Sequence, residues 1–467
     1  TFVSMPGSTL TKEALEDIDQ ALESYRWFDG GYVILFAPAC TQEIKRRLQN
    51  IYANKGLIII DELTLIELIL AEKDSLLPLA RLRAMMLNSK GTGGIDVFKV
   101  NQLVHAQTSI FVGRDALVNR VASSGDNYVI YGGRRIGKSS VLNEIKHRLE
   151  SSRVQVVYHS FEGDGDCRDD TAARRLARQL NININTVNEF KISVHDYLTS
   201  TDGKIAFLLD EIDLYIHQNP TRHVLVQSLR SLSDEFGDRF RVIVAGFMKL
   251  YQCLKGRGPY TASSDPWIRM FNDEIGPLPN LPASQAERIV IEGFREILGW
   301  SFENNRIPKM IVERTGGHPA FVQFFCMKLQ KRVGDRGDRV IRIIDVDEVF
   351  RDAHPNDSFI THVRGTLEMN IEDPFGRYLM LHMAIFNGDL RQFTYPQAME
   401  CAALFPNIPD ERLKRNLESL TVTSVLRHPQ MQIYEFSVPD YPSILSRLGN
   451  TNNINLLERT IRDEVSQ

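Results

Sequence analysis

Apolar residues along this chain fall into short runs that alternate with longer stretches of helical spacing. Between residues 109 and 276 the runs at 128–131, 154–159, 205–209 and 241–245 are separated by segments with a period near 3.6, which predicts a parallel sheet flanked by helices. The first 108 residues repeat the theme on a smaller scale, with helices at 13–25, 41–53 and 63–71 and strands at 32–37 and 57–60, a small α/β unit. Spacing at 284–298, 308–314, 319–333 and 345–353 is helical throughout. Beyond a polar break at 355–358, helices at 375–385, 396–404 and 410–420 precede two strand runs, 424–427 and 432–437, joined by His428-Pro429-Gln430-Met431. Helices closed by a hairpin read as a winged helix. A polar linker at 450–453 leads to a last helix, so the chain divides at 1–108, 109–276, 277–355, 356–448 and 449–467.

The run at 128–131 leads into Gly132-Gly133-Arg134-Arg135-Ile136-Gly137-Lys138-Ser139-Ser140, and a helical pattern (Val141, Leu142, Ile145, Leu149) leads out of it. Strand, glycine-rich loop and helix are the setting of a phosphate cradle, and G-x-x-x-x-G-K-[ST] is met by Gly132, Gly137, Lys138 and Ser139. Glycines let backbone N–H groups turn inward, Lys138 brings a point charge to terminal phosphates, and the Ser139 hydroxyl can ligate Mg²⁺. The run at 205–209 ends on Asp210-Glu211. In P-loop enzymes such an Asp orients the metal shell and such a Glu polarises the attacking water, so the pair supplies what ATP hydrolysis requires. Asp213 suits a helix cap or the metal shell equally.

Other charged clusters yield no site. The Asp164 to Asp170 loop lacks the glycine and the terminal Glu of a calcium loop, with Asp169 and Arg175 in those places, and reads as a cap for the following helix. Asp29 with Glu43 and Lys45 imitates a nuclease pattern, but the Glu and Lys fall in helical spacing, so a salt-bridged surface helix is the better reading. Asn88-Ser89-Lys90-Gly91-Thr92-Gly93-Gly94 is a loop by composition, near the seam before the P-loop unit.

Composition narrows the function. Over 467 residues, 43% hydrophobic and 24% charged content describe an ordinary globular chain, and a net charge of −4 gives no overall basic footprint for nucleic acid. Cys40, Cys167, Cys253, Cys326 and Cys401 are far apart and read as thiols of a reducing compartment. The most apolar stretch, 57–71, is broken by Asp61, Glu62 and Glu67 and cannot span a membrane; with no leader at Thr1, a cytoplasmic protein is expected.

Phe111-Val112-Gly113-Arg114-Asp115, the phosphate loop, Leu208-Leu209-Asp210-Glu211-Ile212-Asp213 and Gly316-Gly317-His318-Pro319 together resemble the STAND class of signal-transduction ATPases, close to the archaeal-type and origin-initiator ATPases of the AAA+ group, over about 109–448. The resemblance implies a P-loop NTPase core, a helical lid at 277–355 and a winged helix, with ATP and Mg²⁺ between core and lid. It also implies that Gly113 and Arg114 lie near base and ribose and that Gly317, His318 and Pro319 sit in the lid against the nucleotide. His318 reads equally as a helix-entry residue. The end of the 241–245 run, Gly246-Phe247, departs from the polar residue that many AAA+ members use to sense the terminal phosphate, which implies slow or gated turnover. Arg257 and Arg269 lie where an arginine finger acting in trans could sit, with an ordinary surface arginine the favoured reading of each; a finger would imply a homo-oligomer on ATP binding. The winged helix implies DNA as an alternative partner, although Arg412, Lys414 and Arg415 on its third helix are mixed with Asp410, Glu411 and Glu418. The order of elements in 1–108 faintly resembles the tail of restriction-endonuclease-like domains, so an upstream nuclease-like effector, as in antiphage defence, is a further expectation.

Overall fold

The computed structural model describes residues 2–4, 33–36, 48, 57–60, 62, 65 and 97–98, and then 111–257, 265–271, 273–336, 339–351, 371–386, 391–405, 407–448 and 451–466. Near the N-terminus, strands β1 (Phe2–Ser4), β2 (Val33–Phe36) and β3 (Leu57–Ile60) form a parallel sheet in the order β1-β2-β3. The expected strands at 32–37 and 57–60 are there, and β1 is an addition. The helices expected at 13–25, 41–53 and 63–71, the loop at 88–94 and the Asp29, Glu43 and Lys45 set lie outside the described residues.

The next unit runs α1 (Asp115–Ser123), β4 (Tyr128–Tyr131), α2 (Lys138–Ser151), β5 (Gln155–Ser160), α3 (Asp169–Gln179), α4 (Val187–Ser200), β6 (Ile205–Asp210), α5 (Asp213–Gln218), α6 (Val224–Phe236), β7 (Phe240–Gly246), α7 (Met248–Leu254), α8 (Pro266–Met270) and β8 (Asp273–Ile275). Its five strands pair in parallel in the order β5-β6-β7-β4-β8. Strands β4, β6 and β7 are buried along their whole length, as expected where helices cover both faces. Alternate residues go to opposite sides: Val129, Phe207 and Val242 meet α3, α4 and α6, whereas Ile130, Leu208 and Ile243 meet α1 and α2. Sequence pattern misses β8, because a three-residue edge strand reading Asp-Glu-Ile carries no apolar run. It also leaves the strand order open. The order matters, since β7 lies between the strand that feeds the phosphate loop and the strand that ends on Asp210.

Residues 283–351 form α9 (Ala283–Ile291), a π-helical turn (Glu292–Ile297), β9 (Ser301–Phe302), α10 (Ile307–Thr315), α11 (Pro319–Arg336), β10 (Val340–Ile341) and α12 (Ile343–Arg351). The all-helical expectation is corrected by β9 and β10, two-residue strands paired in parallel. Next come α13 (Pro374–Phe386), β11 (Gln392–Thr394), α14 (Tyr395–Ala402), α15 (Asp410–Val422), β12 (Leu426–Gln430), β13 (Ile433–Phe436), α16 (Tyr441–Leu448) and α17 (Thr451–Ser466). The hairpin falls near its expected place, but His428, Pro429 and Gln430 belong to β12 and the turn is at Met431-Gln432, with Gln432 at φ +64°. β11 adds a third strand beside β13. Residues 451–453, expected as linker, open α17. The break at 355–358 lies outside the described residues.

The lid-like segment and the C-terminal module share one continuous core, in which Phe321 of α11 meets Tyr441 of α16 edge-on at 5.2 Å. Val422 at the end of α15 is buried instead in the core of the P-loop unit.

Candidate functional site

The loop after β4 folds as its glycines predict. Gly132 and Gly137 stand at φ +155° and +101°, where a side chain would be strained, and Gly137 caps α2, whose first residues are Lys138, Ser139 and Ser140. The unpaired N–H groups of that helix start therefore open into the loop. Ile136 is fully buried among α1, α2 and β4 and anchors the loop from beneath. Arg135 is exposed at φ +63°.

Lys138 is 3% exposed. Its ammonium donates to the carbonyls of Gly132 at 3.1 Å and Gly133 at 2.8 Å and lies 3.5 Å from the centroid of the Phe247 ring. Burial lowers its pKa, against the opposing pull of Glu211, Asp210 and Asp213. Asp210, 2% exposed, accepts from Tyr158 Oη at 3.1 Å, from its neighbour Glu211 N at 3.0 Å, and from the Ser139 hydroxyl. Burial raises the pKa of Asp210, and these donors and Lys138 counter it. Glu211 is a non-glycine residue at φ +54°, a conformation that costs on the order of 1–3 kcal/mol and collects at functional sites. Burial raises its carboxyl pKa, with Lys138 acting in the opposite direction. Arg134 reaches to 4.0 Å from Glu211 and its guanidinium lies 5.0 Å from the Phe247 centroid.

Of the two roles open to Asp213, the geometry supports the cap. Its carboxylate accepts from the backbone N–H groups of Phe247 (2.5 Å), Lys249 (2.7 Å) and Leu250 (3.3 Å), closing the start of α7. This also explains Gly246: a Cβ there would overlap the Asp213 carboxylate and come within 2.9 Å of Ile212 and Leu250. The end of β7 has no room for a polar side chain at 246, and Phe247 offers a ring face in place of a polar sensor.

The other motif residues converge through one strap, Leu278 to Leu281. Leu278 N donates to Tyr131 O (2.9 Å), Arg114 Nη2 to Pro279 O (2.5 Å), and Leu281 N to Gly317 O (3.0 Å). Gly113 packs against Leu281 and Gln285, and burial lowers the Arg114 pKa to about 10. Gly316 ends α10 in the left-handed conformation and Pro319 opens α11, so Gly-Gly-His-Pro is first a helix-to-helix turn. His318 is buried with its ring 5.0 Å from Phe321. The strap links the Gly113-Arg114 pair and the Gly317-His318-Pro319 triplet to the loop.

Three participants escape sequence reasoning. Tyr158 stands on β5, two residues before the partner of Asp210, and only the strand pairing reveals it. Asn280 Nδ2 donates to both Gly316 O (3.0 Å) and Ser437 O (3.1 Å), joining strap, lid-like segment and C-terminal module. The third is Thr423: a Cβ on Gly133 would overlap its carbonyl oxygen, so the end of α15 rests directly on the phosphate loop. Around that contact Glu418 accepts from Tyr251 Oη (2.7 Å) and Arg257 Nη1 (2.8 Å), and Glu372 pairs with Lys249 at 3.4 Å. Arg257, one finger candidate, is thus engaged within its own chain; Arg269, the other, is exposed on α8.

Among the described residues no group of three His, Cys, Asp or Glu side chains could hold a metal, and no helix is long and apolar enough to cross a membrane. The Ser139 hydroxyl, which donates a hydrogen bond to the Asp210 carboxylate, and that carboxylate are the hard oxygen donors that suit Mg²⁺, an ion that takes its remaining ligands from water and phosphates.

Loop, sheet order and acidic strand end define a P-loop ATPase fold with a parallel five-stranded sheet. Among solved structures the chain is similar to the Aeropyrum pernix ORC2 protein, solved as ADPNP–ADP complexes, at 13% identity over 79% of this chain and 98% of that one, with a TM-score of 0.53. It is also similar to a Walker-type ATPase of Pyrococcus abyssi (17% identity, 75% and 99% covered, TM-score 0.49) and to Cdc6p from Pyrobaculum aerophilum (15%, 78% and 98%, TM-score 0.39). The ORC2 match shows a shared fold. No protein-family model matches the chain, and no curated protein sequence does.

Proposed function

We propose that this protein is an ATP-binding, slowly hydrolysing regulatory switch, in which nucleotide at the phosphate loop sets whether the C-terminal module, read as a winged helix, stays docked. The observation that carries the reading is the contact of Thr423 with Gly133, because it makes the loop a shared surface for phosphate and module. Phosphates would be bound by the N–H groups of 132–140 and by Lys138, with Ser139 and Asp210 holding Mg²⁺. In hydrolysis the oxygen of a water bonds to the terminal phosphorus while the bond to the bridging oxygen breaks. Glu211 takes a proton from that water, and ADP departs with the electron pair of the broken bond. The ring of Phe247 in place of a polar sensor supports slow turnover.

Opening of the module would free Arg257 from Glu418 and so link nucleotide state to assembly with a second copy. Direct DNA reading by α15 is the weaker account: Arg412 is held by Asp373 and Glu464, Lys414 by Asp410 and Arg415 by Glu411, leaving a poor phosphate track. Calorimetry with ATP and Mg²⁺ tests the reading. The parent should bind and Lys138→Ala should bind far more weakly; equal affinity in the two would remove the assignment.

A further inference from the structure

The Asp213 cap leaves position 246 without room for a side chain, so the strand end beside the loop supplies no charge or donor of its own to a terminal phosphate. What stands there is the Phe247 ring, and two cations share it: Lys138 at 3.5 Å from the centroid and Arg134 at 5.0 Å. A ring face attracts cations. It therefore holds the Arg134 guanidinium over the loop without consuming any of its N–H donors. Glu211 lies 4.0 Å from the guanidinium, beyond hydrogen-bond reach, so the carboxylate attracts it without bonding it. The Arg134 side chain is only 27% exposed, and it belongs to the loop itself, so it needs no second subunit to reach a bound phosphate.

We infer that Arg134 is a catalytic residue acting in cis, an arginine that the phosphate loop carries for the terminal phosphoryl group in place of a sensor from β7. The inference rests on the proposed ATPase reading of the same site. As water adds and the bridging bond breaks, charge builds on the phosphoryl oxygens and the bridging oxygen. A planar fork whose donors make no hydrogen bond among the described residues can answer that charge, and Phe247 and Glu211 keep it in place beforehand. This differs from a finger at Arg257 or Arg269, whose contribution would require a docked partner.

The test compares the parent, Arg134→Ala and Arg134→Lys in single-turnover ATP hydrolysis and in calorimetry with two ligands: a non-hydrolysable ATP analogue and ADP with aluminium fluoride, which mimics the phosphoryl group in transfer. Arg134→Ala should keep analogue affinity within about threefold and lose about a hundredfold or more in hydrolysis, the scale of removing one transition-state donor. Its affinity for ADP with aluminium fluoride should fall in step with the rate, and Arg134→Lys should recover part of both. The deficit should be the same at every protein concentration. Hydrolysis within a fewfold of the parent would overturn the inference while leaving the ATPase reading intact. So would a parallel loss of affinity for both ligands, the mark of a ground-state anchor. A parent that binds no nucleotide would overturn the ATPase reading itself, and the inference with it.

Discussion

Two helix ends of opposite polarity meet at the phosphate loop. α2 begins in it, presenting unpaired N–H groups and Lys138, whereas α15 ends on it, laying the carbonyl of Thr423 against Gly133. The first end attracts anions and the second repels them. Gly133 shows how the two demands divide the loop: unlike Gly132 and Gly137 it is not at positive φ, so its missing side chain answers the contact with Thr423 and not the path of the loop. On the proposed reading the two helix ends compete, one for phosphate and one for the docked module.

The comparison breaks most readily at the α2 side. Glu211→Gln should retain ATP and lose roughly a hundredfold or more in hydrolysis, the range of a positioned general base. Turnover at the parent rate would require another base. Lys138→Ala should lose about ten- to a hundredfold in ATP affinity, the worth of a hydrogen bond to a charged group. Calorimetry reads this directly, and an unchanged affinity would leave the loop without its cation.

The α15 side gives smaller effects of the opposite sign. Gly133→Ala should displace Thr423 without disturbing the loop path, and removal of the negative helix end should raise ATP affinity about two- to fivefold. A loss of affinity would mean that the docked helix supports the nucleotide. Glu418→Gln weakens the Tyr251 and Arg257 contacts and should act in the same direction, more weakly because the Arg257 pair is partly solvated. If Arg257 then serves a second copy, specific activity of this variant should rise with protein concentration more steeply than that of the parent; a flat series would favour an intramolecular switch.

Legibility in the sequence follows the same division. Gly132 to Ser140 and Asp210-Glu211 can be read because each is a local pattern, a turn that needs glycine or an acid at the end of an apolar strand. The buried strands of the sheet are legible for the same reason, and the Asp-Glu-Ile edge strand is not. Gly133 itself reads as one more loop glycine, since its partner is nearly 300 residues away in the chain. Gly246-Phe247 looks like a missing sensor until Asp213 is seen capping α7, which accounts for the glycine sterically. The mixed charge of 410–418 is visible in sequence, but only packing shows that Glu418 serves the core while Lys414 and Arg415 are paired along their own helix.

The central claim, that nucleotide at the loop sets the position of the C-terminal module, is tested most directly by a distance between the two. Ile192 on α4 and Met431 at the hairpin turn are 62% and 86% exposed, and Cys167, Cys253, Cys326 and Cys401 are buried, so spin labels can be placed on Ile192→Cys and Met431→Cys with Cys40 replaced by Ser. Double electron–electron resonance would then compare the protein alone, with saturating ADP and with a saturating non-hydrolysable ATP analogue. The account predicts one narrow distribution without nucleotide and a displaced or broadened one with the ATP analogue. Identical distributions in all three states, with the analogue bound, would contradict it.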